Sequence, residues 1–246
     1  MKQEKIVSIE DRIPKLKQAR KKKANRRLII YLSIFFLLIA IIVYMQSPLS
    51  HIKVINVEGI EHVDEQEILK RSELNTETNI WTVTKKSIEQ RIEKHPVVSN
   101  VEIRKKLPST IEINVTEFER VGYVFQDNGY YLLLENGNML SEPQQPTGDA
   151  PLLLQFTDES YLQRMTEELK NLPKSILNLI SEIYWNPAEE DENKILLYMN
   201  DGIMVDSSIR DFSEKMKIYP SIAAQIEPGS KGILHIGVGA YFEKFE

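Results

Sequence analysis

The sequence predicts an α+β protein held by a single N-terminal transmembrane helix. A small domain follows in the order strand, helix, helix, strand, strand, and then a second, mixed β-rich domain. Three observations carry this prediction. An uncharged apolar run of 18 residues sits behind a basic cluster. The stretch HPVVSNVEIRKKLPSTIEINVTE alternates like a β-hairpin. Past Glu117 the pattern becomes one of strands separated by turn signals. The expected boundaries are a basic tail over 1–27, the span over 28–45, the first domain over 50–118 and the second over 119–246.

The anchor segment reads LIIYLSIFFLLIAIIVYM, with one serine and no charge. As a helix it spans roughly 27 Å, close to the hydrocarbon thickness of a bilayer. Eight Lys/Arg residues lie between Lys15 and Arg27. By the positive-inside rule that tail stays in the cytoplasm and residues 46–246 lie outside. Tyr31 and Tyr44 stand near the two ends, where aromatic rings favour the interface. A cleaved signal peptide would carry a shorter apolar region followed by small residues, whereas QSPLS follows here. A core helix of a soluble protein would show a polar face, and this run has none. RKKKANRR has no interleaved aromatic, so it reads as a topology signal beside acidic headgroups and not as a nucleic-acid surface.

Charge follows the same division. The net charge of −5 combines +8 over residues 1–27 with −13 over the rest, so the two ends suit different environments. The chain has no cysteine, which excludes disulfides, thiol catalysis and Cys-ligated zinc.

In the first domain, Ile52, Val54, Ile55 and Val57 suggest a strand and Gly59 a turn. Asp64 is placed to cap a helix, with Glu67 three residues on as a weak capping box, and Ile68 and Leu69 face inward. A second helix is expected over 84–94, with Thr84 as N-cap and Ile88 and Ile92 four apart. His95-Pro96 ends it, because the residue before proline avoids helical backbone. Val101 and Ile103 then share one strand face, with Glu102 and Arg104 on the other. Ile111, Ile113 and Val115 repeat the pattern against Glu112, Asn114 and Thr116. Pro108 belongs in the loop between them, expected over 105–110.

In the second domain, hairpins are expected at 121–135 through the glycine turn Asp127-Asn128-Gly129 and at 195–205 through Asp201-Gly202. Residues 141–151 read as a loop and 152–156 as a short strand. A helix is expected over 159–171 with Leu162, Met165 and Leu169 inward. Pro173 starts another with Ile176, Leu177 and Ile180 inward, and one more runs over 209–218. Ile183-Tyr184-Trp185 suggests a strand. After a turn at Pro228-Gly229-Ser230, a single extended strand over 233–242 closes the pattern.

No enzyme constellation stands out. The histidines, His51, His62, His95 and His235, form no HExxH or i,i+4 pair, and no GxSxG, P-loop or kinase set occurs. Gly237-Val238-Gly239 lacks a third glycine and a following helix, and reads as strand glycines. The acidic run at 189–192 reads as a solvated loop. No catalytic residue, metal ligand or cofactor is assigned, and no nucleic-acid partner is expected.

The β-α-α-β-β order just beyond a single span resembles a POTRA domain. HIKVINVEGIEHVDEQEIL is similar to its opening strand, glycine turn and first helix, and HPVVSNVEIRKKLPSTIEINVTE resembles the closing hairpin of the FtsQ/DivIB division proteins. Arg104, Lys105, Lys106, Leu107, Pro108 and Glu117 match that family's order of basic residue, hydrophobe, proline and strand-ending Glu. Many relatives carry Trp where this chain has Leu107. The β-rich second half resembles the β domain that follows POTRA in the family.

The resemblance implies a non-catalytic divisome scaffold in the cell membrane at the division septum. It would bind and stabilise membrane division proteins of the DivIC/FtsB and FtsL type, with the septal penicillin-binding protein as a further candidate, and so help assemble septal peptidoglycan synthesis. In the family the last strands of the β domain dock FtsB or DivIC. Carried over, the surface is Ile233, His235, Gly237, Gly239, Tyr241 and Phe242, with Tyr241 and Phe242 as aromatic anchors. Sequence does not set strand order, so an edge and a central strand both stay open here. Arg104, Lys105 and Lys106 form a second candidate interaction loop, with a solvated basic loop as the equal alternative. Two other classes remain beside this one. They are a membrane-anchored envelope enzyme and a POTRA-type chaperone or export receptor.

Overall fold

The computed structural model describes residues 9–227 and 229–245. Residues 1–8 of the expected tail, Pro228 of the expected turn, and Glu246 lie outside the described residues. The apolar run lies within one helix, α1 (Ile9–Gln46), which extends well before the expected span. The Lys, Arg, Gln and Ala of the basic tail are good helix formers, so hydropathy marks the span but not the helix start. The stretch Arg20–Gln46 is long and apolar enough to cross a membrane, and none of it is buried against the rest of the chain.

The region that resembles a POTRA domain follows as β1 (Val54–Glu58), α2 (Glu65–Ser72), α3 (Lys85–Ile92), β2 (Val98–Lys106) and β3 (Thr110–Glu117). Its sheet has the order β1-β3-β2, with β3 parallel to β1 and antiparallel to β2. Ile113 lies opposite both Val57 and Ile103. The alternation sorts the faces as expected. Val101, Ile103, Ile111, Ile113 and Val115 are buried with Ile68, Ile88 and Ile92 from the helices. The hairpin loop is shorter than expected. Lys105 and Lys106 pair with Ile111 and Thr110 inside the ladder, leaving only residues 107–109 as the tip.

Local chemistry fixes the turn between β1 and α2. Gly59 has φ +82°, and a Cβ there would sit 2.1 Å from the Val115 carbonyl oxygen, so only glycine fits. Asp64 caps α2 by accepting from Gln66 N at 2.7 Å. Glu67 does not complete a capping box. It turns instead to the Arg71 guanidinium, which leads in holding its carboxyl below the usual range, with His95 also facing it. The N–H groups before the helix are met by Glu117 at the end of β3. Its carboxylate accepts from Glu61 N at 2.9 Å, His62 N at 3.0 Å and Val63 N at 3.1 Å.

The second sheet has eight strands. They are β4 (Arg120–Gln126), β5 (Gly129–Leu134), β6 (Leu152–Leu154), β7 (Ile180–Trp185), β8 (Lys194–Met199), β9 (Met204–Ser208), β10 (Gly232–Ile236) and β11 (Ala240–Lys244), in the order β11-β10-β9-β8-β7-β6-β4-β5. Helices α4 (Glu159–Lys170), α5 (Lys174–Leu177), α6 (Phe212–Met216) and α7 (Tyr219–Ala223) lie in the connections. Leu162, Met165 and Leu169 of α4 are buried in the large core as expected.

Four local expectations change. The β4–β5 turn puts Asp127 and Asn128, not Gly129, at positive φ (48° and 61°), because both central residues of a primed hairpin turn need that region and Asn and Asp tolerate it. Ile180 belongs to β7, where pairing with Met199 of β8 buries it, so α5 stops after one turn. The helix expected over 209–218 is only the short α6, with Asp211 left-handed before it, and a separate α7 follows beyond 218 with Pro220 in its first turn. The strand expected over 233–242 is two strands, because Gly237, Val238 and Gly239 turn the chain back on itself.

The two regions share packing. Tyr123, Leu132, Leu134 and Ala150 join the POTRA core, while Val121, Val124 and Leu133 face the large core. Asn136 and Asn138 both donate to the Pro96 carbonyl, at 2.8 and 2.9 Å.

Two mutations test this account. Ile113→Asp places an unpaired carboxylate at a fully buried site and should abolish cooperative melting of the POTRA region, a penalty of at least several kcal/mol. Glu117→Ala removes the acceptor for three N–H groups and should lower stability by about 1–3 kcal/mol in a denaturant titration, with Glu117→Gln intermediate.

Candidate functional site

The end of the chain forms one border of the large sheet. After β9, the chain passes through α6 and α7 and returns as β10, parallel to β9 with His235 opposite Asp206. It then reverses into β11, with Ile236 opposite Ala240 and Gly232 opposite Lys244. Gly237 N donates to the Gly239 carbonyl, and Phe245 N donates to the Lys231 carbonyl. Hydrogen-bonded pairs alternate along an antiparallel ladder, so Glu243 and Tyr241 direct their backbone groups to β10. Ala240, Phe242 and Lys244 direct theirs outward.

The two borders of the sheet differ. The outer side of β5 is covered by its own following loop. Leu134 N donates to the Asn138 carbonyl, Leu140 N to the Leu132 carbonyl and Gln144 N to the Tyr130 carbonyl. Among the described residues nothing pairs with the outer side of β11.

The six residues expected at this surface separate. Ile233, His235 and Tyr241 lie on one face. Phe242 points to the other, where it packs against the core opposite Leu234. Its ring fills the space above Gly232, where a Cβ would come within 2.6 Å of it. Phe242 is therefore partly buried against the core, with its backbone groups directed outward. Gly237 and Gly239 are hairpin-loop residues with open space around them, and Val238 between them is fully exposed. Tyr241 is exposed and stacks on His235, centroids 4.6 Å apart at 16°.

His235 also anchors a polar row across four strands. Its Nδ1 is 3.0 Å from Asp206 of β9, and its Nε2 is 3.3 Å from Glu243 of β11. Lys194 of β8 lies 3.4 Å from the same Asp206 oxygen. Lys194, Asp206 and Glu243 escape sequence reading, because their spacing of up to tens of residues acquires meaning only through the ladder register. Among the described residues no group of three His, Asp or Glu is arranged to hold a metal.

The residues of the second expected site lie in the β2–β3 ladder, and each has a neighbour within it. Arg104 binds Glu102 two residues away with two bonds of 2.8 Å, which lowers the Glu102 carboxyl and raises the guanidinium. Lys106 pairs with Glu112. Lys105 points to the helix side, where partial burial and then the nearby Lys85 ammonium push its own ammonium down.

Comparison with known proteins agrees with this architecture. Residues 50–118 match the model of the FtsQ-type POTRA domain, and residues 122–238 match that of the C-terminal region of cell division protein FtsQ/DivIB. Cell division protein DivIB of Bacillus subtilis (strain 168) is 43% identical over 243 residues, covering 98% of this chain and 92% of that protein. DivIB of Geobacillus kaustophilus (strain HTA426) is 40% identical over 244 residues, covering 98% and 94%. A solved structure of the major extracytoplasmic domain of the trans isomer of DivIB from Geobacillus stearothermophilus is 37% identical, with a TM-score of 0.41. It covers 46% of this chain and 98% of that one. With both family models in tandem behind one apolar helix, and relatives matching almost from end to end, the chain belongs to the DivIB/FtsQ family of bacterial cell division proteins.

Proposed function

We propose that the chain is a non-catalytic scaffold of the division machinery that captures partners by strand addition to β11. The basic tail over 1–27 lies in the cytoplasm and residues 28–45 span the membrane. The POTRA domain over 50–118 and the β domain over 119–246 stand outside, at the division septum. Its partners are single-pass division proteins of the DivIC/FtsB and FtsL type, with the septal penicillin-binding protein as a further one. Holding them supports assembly of septal peptidoglycan synthesis.

The observation that carries this reading is the asymmetry of the sheet borders: the chain covers β5 with its own loop, and among the described residues nothing covers β11. An open edge is an aggregation hazard unless it has a use, and donating backbone to an incoming strand is that use. The chemistry of His235 points the same way. Asp206 at Nδ1 resembles two members of a hydrolytic triad, but a carboxylate, Glu243, occupies the Nε2 side where a nucleophilic hydroxyl would be needed.

Strand addition makes a backbone-specific prediction. Ala240→Pro and Lys244→Pro each remove an outward N–H and leave the β10–β11 bonds in place. Both variants should melt like the unaltered protein, yet lose photo-cross-links to two small single-pass proteins from probes placed along 240–244 in dividing cells. Retention of those adducts by both proline variants would overturn strand addition.

A further inference from the structure

The span does not hang loosely from the POTRA domain. The last turn of α1 is tied to the loop between α2 and α3: Asn79 Nδ2 donates to the Met45 carbonyl at 2.6 Å and to Ser50 Oγ at 2.8 Å, and Ser50 Oγ donates to the same Met45 carbonyl at 2.9 Å. Ile80 N donates to the Ser50 carbonyl and Ile52 N to the Thr78 carbonyl, both at 2.9 Å. The segment carrying Trp81 is therefore fixed beside the point where the apolar helix ends.

The tip of the β2–β3 hairpin lies at this same end of the domain. Lys53 N donates to the Ser109 carbonyl at 2.8 Å, so the tip adjoins the start of β1, a few residues from the end of α1. Lys85, in the first turn of α3, faces Lys105 of the hairpin and presses on its charge. One rim of the domain thus gathers three exposed apolar side chains, Leu49 (64% exposed), Trp81 (40%) and Leu107 (57%). Among them stand Lys53, Lys85 and Lys105, with Lys106 neutralised by Glu112 and the acidic Glu77 nearby in sequence to the Asn79 loop.

We propose that this rim is a lipid-docking face: Leu49, Trp81 and Leu107 enter the headgroup region of the leaflet around α1, and Lys53, Lys85 and Lys105 engage anionic lipid phosphates. The occupant follows from covalent continuity. The surface begins at the last turn of the helix that crosses the bilayer, and tryptophan with lysine is the pairing that favours the membrane interface. Lone exposed apolar residues are ordinary, but these lie on the side facing the membrane. The proposal gives the basic hairpin a lipid role, and it rests on α1 being a span.

The chain has two tryptophans, so each can be observed alone. The full-length chain carrying Trp185→Phe would be reconstituted into phosphatidylcholine vesicles with and without phosphatidylglycerol, containing lipid brominated near the headgroup. Trp81 emission should be quenched, more strongly with phosphatidylglycerol, and the excess should vanish in Lys85→Gln/Lys105→Gln. Under Trp81→Phe, the remaining Trp185, packed beside Tyr161 in the large sheet, should be unaffected. Unquenched Trp81 in chains that co-float with the vesicles overturns the proposal and leaves the span standing. A blue-shifted but unquenched Trp81, meaning a protein occupant, overturns it as well. Quenching indifferent to phosphatidylglycerol overturns the lysine assignment. Failure to co-float removes the span and the proposal together.

Discussion

The pairing of β3 on both of its sides is the constraint from which the rest of the fold follows. β3 is parallel to β1, so no tight turn joins the two directly; the chain passes through α2, α3 and the antiparallel β2 before β3, and the two helices form the lid of the core. An antiparallel β2 on the other side then fixes which residues face inward, because a slip of one residue would turn Ile111, Ile113 and Val115 to solvent. Glu117 closes the arrangement by capturing the backbone that enters α2. Only Phe118 and Glu119 separate β3 from β4, and Phe118 N is held by the Val97 carbonyl at 2.8 Å. That short link brings Tyr123, Leu132 and Leu134 of the large sheet against the POTRA core.

The chain manages its sheet edges unevenly. On β2, the outward Ile103 N–H is taken by Glu89 of α3 at 3.0 Å, so a helix side chain completes what no strand does. On β5, a backbone loop performs the same service. β11 has neither. Its own defences are its short length and the charges of Glu243 and Lys244, which discourage random pairing without blocking a strand of matching charge.

How much of this is legible in the sequence depends on the range of the interaction. The hairpin of β2 and β3 is set by alternation over a dozen residues, and the Asp64 cap by a contact two residues away, so both can be read directly. Ile180 shows the opposite case. Helical spacing with Ile176 and Leu177 is real, but pairing with Met199 outweighs it, and nothing local announces that partner. The start of α1 is hidden because helix propensity continues where hydropathy stops. At the C-terminal edge, the presence of strand-forming residues over 233–242 is legible in the sequence. The split at Gly237-Val238-Gly239, the inward turn of Phe242 and the row from Lys194 to Glu243 are not, because each depends on register across strands distant in sequence.

An edge of five residues with three outward-facing positions offers few backbone bonds. At about 0.5–1.5 kcal/mol net for each hydrogen bond, up to six such bonds supply about 3–9 kcal/mol and offset only part of an association cost in the upper range of about 4–15 kcal/mol. The proposed strand addition therefore needs help, and the molecule contains two sources of it. One is local: Tyr241, already stacked on His235, offers a rigid ring beside the edge and loses little freedom on contact. The other is the anchor. Confinement to a membrane with equally anchored partners raises their effective concentration, and it does so only if the linkage can reach. The ties from Ser50 and Asn79 to the last turn of α1 remove slack between span and POTRA domain, and the shared core removes slack between POTRA domain and large sheet. The edge is thus tied through the POTRA domain to the end of α1. Under the proposed strand addition, a partner whose own span fixed its height would meet β11 in register at a reduced orientational cost, and weak backbone pairing would suffice.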